Sequence, residues 1–411
     1  MQNTNMNIEK SDTSTGYSSS WIMLLALLTA LGPLSIDMYL PALPQMASDF
    51  GTTTQQVANT LPAYFFGLAV GQLVYGPISD RIGRKKPLYF GLILYSLASL
   101  LCVLAESEWS LILARVLQAL GGCVGVVMAR AAIRDRLDLS QSAHAFASMM
   151  IVMGLAPILA PTIGAWILAF FSWHAVFVVL AMMGLVCLGC VHFFFKETLP
   201  ADRRLKLNFS QVARLYMTIL LDRSFRLPML AGCFSGAVLF SYISSASSIL
   251  MDGYHLSQQQ FAYAFGINAF GIMLLSFINK RLAGHLGVLQ RLCVGVLIQL
   301  LGAVILFAVG LQWLHSFVGV MAGMFMAVAG IGFTGPNATA LAMSQQGARA
   351  GTASAIMGSL QFGCGLLGGV LLNILSWNAV LNVAVIMLIF LAIGGIAISA
   401  LIRDQHLQST I

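Results

Sequence analysis

Twelve apolar stretches, each at least about 18 residues long, run through this chain, and a run of that length reads as a membrane-crossing helix. They fall at 21–44, 57–78, 88–105, 109–133, 143–170 and 174–195, and then at 227–250, 259–279, 288–310, 313–335, 347–374 and 378–402. A chain surrounded by lipid must satisfy its backbone hydrogen bonds within itself, so such runs become helices. The charge supply agrees: 9% of the 411 residues are Asp, Glu, Lys or Arg, against about 25% in soluble proteins. That scarcity excludes a soluble enzyme, a nucleic-acid-binding module and a disordered chain. The expected fold is all-α and membrane-embedded, with two pseudo-symmetric six-helix bundles at 21–195 and 227–403. Residues 1–20 are expected to form a disordered tail, 196–226 a linker and 404–411 a second tail.

Basic residues orient the spans, because loops on the cytoplasmic side collect Lys and Arg. Twenty of the 21 Lys and Arg fall on one side of the predicted topology, Arg115 being the exception. The opposite loops hold only acids: Asp49, Glu106, Glu108 and Asp252. Both termini are therefore expected in the cytoplasm. In the linker, Phe209, Val212, Ala213, Tyr216 and Ile219 recur at helical spacing, the pattern of an amphipathic helix lying on the membrane surface.

Several chemical-looking motifs dissolve on inspection. Two G-x-G-x-x-G matches, at 330–335 and 363–368, lack the strand and ribose-binding acid of a dinucleotide site. Pairs such as Gly67 and Gly71 serve close helix packing instead. The seven cysteines all lie in apolar runs, and the Cys187/Cys190 spacing has no second ligand pair. No Gly-Lys-Ser/Thr phosphate loop and no HExxH motif occur, so neither ATP hydrolysis nor metal catalysis is expected.

Two ionisable residues lie well inside predicted spans. Asp37 precedes Pro44, the expected outer end of the first helix, by seven residues, and Arg115 follows Glu108 by seven. At 1.5 Å per residue both would sit roughly 10 Å below the outer surface. A charge there costs at least about 2.5–3.5 kcal/mol on insertion scales, so such groups usually face an internal cavity. Three roles fit: a loose Asp37 that takes up protons, a permanent Asp37–Arg115 clamp, or recognition of a charged substrate.

The segment Gly71-Gln-Leu-Val-Tyr-Gly-Pro-Ile-Ser-Asp-Arg-Ile-Gly-Arg-Lys-Lys86 resembles the loop signature of the major facilitator superfamily. Gly76 and Gly83 would permit a tight turn, and Asp80 could pair with Arg84 or another inner-side arginine, with Arg81 and Lys85 beside them. Such a latch would favour an outward-open state. Around Arg115, the run from Leu111 to Gly122 is similar to a second signature. Residues 154–165 resemble the antiporter signature, with Pro157, Pro161 and Gly164 in place and Ala156, Ala160 and Ala165 where glycines are usual. Helix 1, with Ser35-Ile-Asp-Met-Tyr-Leu-Pro-Ala-Leu-Pro44, is similar to the bicyclomycin-resistance-like (Bcr/CflA) drug:proton antiporters.

That resemblance implies a monomeric exporter in the bacterial inner membrane. It would move small neutral or amphiphilic drugs against protons by alternating access. It implies Asp37 and Arg115 as the coupling pair, and a cavity lined by Tyr64, Gln118, Tyr242, Asn268, Gln361 and Phe362. No cofactor and no nucleic acid is expected; the proton gradient is the energy source. A metabolite exporter or a proton symporter of the same fold is the alternative.

Overall fold

The computed structural model describes residues 19–137, 139–204, 209–313 and 316–409. The described residues are helical, with no strand among them. Twelve helices are long and apolar enough to cross a membrane. They are α1 (Ser20–Phe50), α2 (Thr54–Ile82), α3 (Lys85–Val103), α4 (Glu108–Arg136), α5 (Ser148–Leu168) and α6 (His174–Phe194). The second set is α7 (Arg223–Gly253), α8 (Gln258–Leu282), α9 (Val288–Gly310), α10 (Phe317–Met343), α11 (Ala350–Ile374) and α12 (Ala379–Asp404). Most of the predicted N-terminal tail, and linker positions 205–208, lie outside the described residues. The helix that contains α12 continues to Ser409, so the expected break at 404 is absent.

Local chemistry explains the helix ends. Ser107 and Ser257 each cap a helix start with a side-chain oxygen, at α4 and α8, which satisfies amides that have no intrahelical partner. Helix α1 departs from expectation. Pro44 does not end it. A short 3-10 segment, Leu40–Ala42, interrupts the helix, which then resumes over Leu43–Phe50. Pro41 and Pro44 each occupy a first-turn position, where proline's missing N–H is not needed. The prolines restart the helix, and Gly51, in a left-handed conformation at φ 63°, ends it. Asp37 therefore closes the first regular stretch, Ser19–Asp37. Pro44 thus does not mark the outer end of α1 from which the depth of Asp37 was counted.

Packing falls into two six-helix halves. In the first, α2, α3 and α4 pack together, α3 on α6 and α1 on α5; in the second, α7 packs on α10, α11 and α12, and α9 on α10 and α12. Two seams join the halves, α2 against α11 and α5 against α8. Adding six to each helix number exchanges one seam for the other, as a two-fold repeat requires. One face of the bundle carries the basic connections, and the other carries the acidic ones.

The linker helix, Phe209–Leu221, rests on the basic face. Its Tyr216 hydroxyl donates to the Leu73 carbonyl at 2.9 Å, and Ile219 is buried while Met217 and Leu221 are exposed. Ala213, expected on the apolar side, is exposed.

Candidate functional site

Arg115 is fully buried and does not pair with Asp37; no ion pair joins the two among the described residues. Its guanidinium carbon lies 4.2 Å from the Tyr64 ring centre, 4.4 Å from Tyr39 and 5.8 Å from Phe177. Desolvated cation–π contacts of this kind are worth roughly 2 kcal/mol each. Nη1 donates to Gln118 Oε1 at 2.6 Å, and Gln118 Nε2 donates to Ser99 at 2.8 Å. Gln118 stands one helical turn from Arg115, on the same face of α4. Nε and Nη2 have no partner.

Helical phase explains why Asp37 is elsewhere. Tyr39, which faces Arg115, is two residues on, and residues so spaced point to nearly opposite sides of a helix. Asp37 is 3% exposed, and its Oδ1 has no hydrogen bond. The break that follows it packs against α8, in the other half. Asn268 of α8 donates to the Tyr242 hydroxyl at 2.9 Å, and Asn268 Oδ1 is itself buried without a partner. Buried polar atoms in folded proteins are nearly always paired. Asp37 Oδ1 and Asn268 Oδ1, one in each half, are thus two buried acceptors left open to a donor.

A cluster of rings lies across the halves. The centroids of Phe65 and Phe240, Phe240 and Phe362, and Phe65 and Phe362 are 4.6 Å, 5.3 Å and 6.3 Å apart, and sequence reading missed Phe65 and Phe240. Gln361 lies half-buried against Gly236. The six expected cavity residues thus separate into three groups: Tyr64 and Gln118 around Arg115, Tyr242 with Asn268, and Gln361 with Phe362 on the seam.

The antiporter-like segment has a packing reason. Pro157 and Pro161 lie inside the helix of α5, and Gly164 meets the α1 break, where an added Cβ would collide with the Met38 carbonyl oxygen. Irregular backbone beside Asp37 thus depends on a residue with no side chain at 164.

On the basic face, Arg84 is the hub. It bonds Asp80 at 2.6 Å, Ser79 at 2.6 Å, and Asp135 at 2.9 Å through Nε and 3.3 Å through Nη2. Burial opposes the guanidinium's charge, but Asp135 and Asp80 outweigh it and hold its pKa above the ordinary value. Glu197, just past α6, accepts the backbone N–H groups of Arg84, Lys85, Thr198 and Leu199. Burial pushes the Glu197 pKa up, and those four bonds overcome it and leave the carboxyl below its usual range. Gly83, at φ 94°, makes the turn, and a Cβ there would run into the Glu197 carboxylate. Gly76 makes no turn: it lies within the continuous helix of α2, with open space where a Cβ would point. Arg81 is exposed, and Lys85 reaches the His192 carbonyl at 3.4 Å.

The latch therefore ties together parts of the first half and the start of the linker. Sequence reading missed Asp135 and Glu197, although each is an acid beside basic residues (Arg134 and Arg136, Lys196) on an otherwise basic face. Contact across the halves at this face comes instead from Arg130, whose Nη1 donates to Ser354 at 3.4 Å, and from Arg134, whose guanidinium lies against Gly351.

Comparison with known proteins places this geometry among transporters. The profile of the Major Facilitator Superfamily matches residues 25–369. An uncharacterized MFS-type transporter, YdgK, from Bacillus subtilis is 33% identical over 390 residues, covering 94% of this chain and 96% of that protein. A bicyclomycin resistance protein homolog from Haemophilus influenzae is 31% identical, covering 85% and 87%. Multidrug resistance protein D from Escherichia coli is also 31% identical, covering 84% and 86%.

Proposed function

The chain belongs to the Major Facilitator Superfamily, a multi-pass membrane transporter and not an enzyme, and from that footing we propose that it exports small drugs in exchange for protons. The observation that carries the reading is Asp37: a buried carboxylate within a span, beside a helix break, with no ion-pair partner among the described residues. A permanent partner would hold its proton off. With Arg115 enclosed by aromatic rings, Asp37 is free to exchange one.

In the proposed cycle, Asp37 takes a proton while the seam is open on the acidic face, and drug leaves. The protonated carboxyl becomes a donor, and the orphaned Asn268 oxygen in the other half is the kind of acceptor it lacks. Opening to the basic face releases the proton and lets drug bind again. One proton moving down 100 mV supplies about 2.3 kcal/mol, which sustains roughly a 50-fold gradient of a neutral drug.

The excess of Lys and Arg assigns the basic face, and with it both termini, to the cytoplasm. The names of the Haemophilus and Escherichia relatives support a bacterial inner-membrane exporter of antibiotics. Both halves of the site come from one chain, so a monomer suffices. No bound cofactor enters the cycle.

The test is drug-driven proton release from proteoliposomes, wild type against Asp37→Asn, with a susceptibility panel in a pump-deficient host. Release should vanish in the variant, along with resistance. Unaltered release would overturn the assignment. Proton-driven accumulation in the opposite direction would identify a symporter instead.

A further inference from the structure

A cavity of about 410 Å³ opens on the acidic face, between the two halves and apart from Asp37 and Arg115. Its size lies within the range of small-ligand pockets, about 300–1,000 Å³. Its lining includes Gln55 of α2, Ser248 and Asp252 of α7, Asn373 of α11, Trp377 in the turn before α12, and Asn382 of α12. The last six residues of α7, Ser248–Gly253, are wound as a π-helix, a turn found mainly at functional sites.

Two features give the cavity a chemical preference. Asn382 is 7% exposed and donates through Nδ2 to the carbonyls of Leu375 and Trp377, at 3.1 Å and 3.2 Å. Those bonds fix which amide atom is oxygen, and that Oδ1 is buried with no donor. Asp252 is exposed at the rim and makes no ion pair among the described residues. The lining contains no Lys or Arg, so its only formal charge is negative. Trp377 adds an indole that is 54% exposed.

We propose that this cavity binds a small aromatic ammonium ion. The N–H groups supply the donor that Asn382 Oδ1 lacks, Asp252 balances the charge, and the ring covers Trp377. The site adds a cationic ligand class to the neutral cargo of the central pathway. It rests on the transport reading only in lying on the drug-release side. Both halves contribute walls: Gln55 Nε2 donates to Asn373 Oδ1 at 3.4 Å, and Ser248 donates to Gln55 Oε1 at 3.3 Å. A bound cation therefore favours the arrangement in which those walls are close.

The test uses the purified full chain and ligand-observed NMR, with phenethylammonium and its neutral counterpart phenethyl alcohol as probes. Phenethylammonium should bind saturably, and about tenfold more weakly to Asp252→Asn and to Trp377→Leu. Phenethyl alcohol binding should be unaffected by Asp252→Asn. Both positions are exposed, so these variants should fold. Binding is read with no drug and no proton gradient present, which separates this site from proton coupling. Absence of saturable ammonium binding, or binding indifferent to both vestibule substitutions, overturns the proposal.

Discussion

Replacing Asp135 with alanine tests which acid the Arg84 latch depends on. The change removes the acceptor of Arg84 Nε at 2.9 Å and Nη2 at 3.3 Å, and of the Thr198 hydroxyl at 3.0 Å. The side chains of Arg84 and Asp135 are 5% and 15% exposed. Breaking one partner of a buried pair costs about 3–5 kcal/mol, and the lower figure applies because Arg84 keeps Asp80 and Ser79. Asp80→Ala removes a single contact at 2.6 Å to a carboxylate that is 38% exposed, a surface-type pair worth up to about 1 kcal/mol. The difference, about 2 kcal/mol, corresponds to roughly a 30-fold change in the folded-to-unfolded ratio. Cys102, Cys123, Cys187, Cys233 and Cys364 are buried, so a fluorogenic maleimide that alkylates them as they become exposed on heating reports unfolding. Asp135→Ala should lower the midpoint by several degrees and Asp80→Ala by less than half as much. Equal shifts, or a larger one at Asp80, would refute the ranking drawn from geometry and exposure.

Gly164→Ala should destabilise the fold by about 1–3 kcal/mol through overpacking and abolish transport, because its Cβ meets the Met38 carbonyl. Gly363→Ala, with open space at its Cβ, should be neutral or stabilise by up to about 1 kcal/mol through helix propensity; the same thermal assay separates them. For Glu197 the folded pKa lies below the unfolded one, so its stabilisation is complete above the ordinary glutamate value of about 4.3. It is lost as pH falls through the lowered value, and midpoints recorded down through this range should show that loss in wild type and not in Glu197→Gln. Arg115→Lys should destabilise, since an ammonium cannot stack between Tyr39 and Tyr64 as a planar guanidinium does. Arg115→Met should recover stability while transport stays lost, because it removes a buried, incompletely bonded charge.

What could be read from residues alone follows from what each signal encodes. Hydropathy encodes burial in lipid, so the spans were legible to within a few residues, except that α10 runs eight residues past its expected end at 335 and α1 runs on past Pro44. There the same signal, Pro44, is compatible with a stop or a restart, and only the packing of α5 against residues 38–42 decides. Depth along a helix was legible for Arg115, but direction around the axis was not. The step from Asp37 to Tyr39 reverses the side a residue faces, and no spacing rule says which of the two meets Arg115. The latch signature supplied Asp80 and Arg84, while Asp135 and Glu197 come from segments that meet only in the folded chain. Gly83 was correctly legible as a turn residue. Gly76 shared its letter and not its role.

The distribution of acids also constrains where a proton can be sensed. After Arg223 the chain contains only two carboxylates, Asp252 and Asp404, and both stand at span ends. The interior of the second half is held by uncharged groups instead. Ser235 bonds Gln299 at 2.6 Å and Thr334 at 2.5 Å, and Asn337 donates to Asn279 Oδ1 at 3.0 Å. Arg291, near the start of α9, donates to that same oxygen at 3.1 Å, so an amide accepts from the cation where the first half uses Asp80 and Asp135. Amides and hydroxyls do not change charge between mildly acidic and neutral pH. The histidines of the second half all lie outside its spans, so the span interiors there are a scaffold of constant charge, and a proton-driven change within the spans must originate in the first half and be read at the boundary. Asp37 meets that requirement: it lies on a first-half helix, just before the break that packs against α8 of the second half.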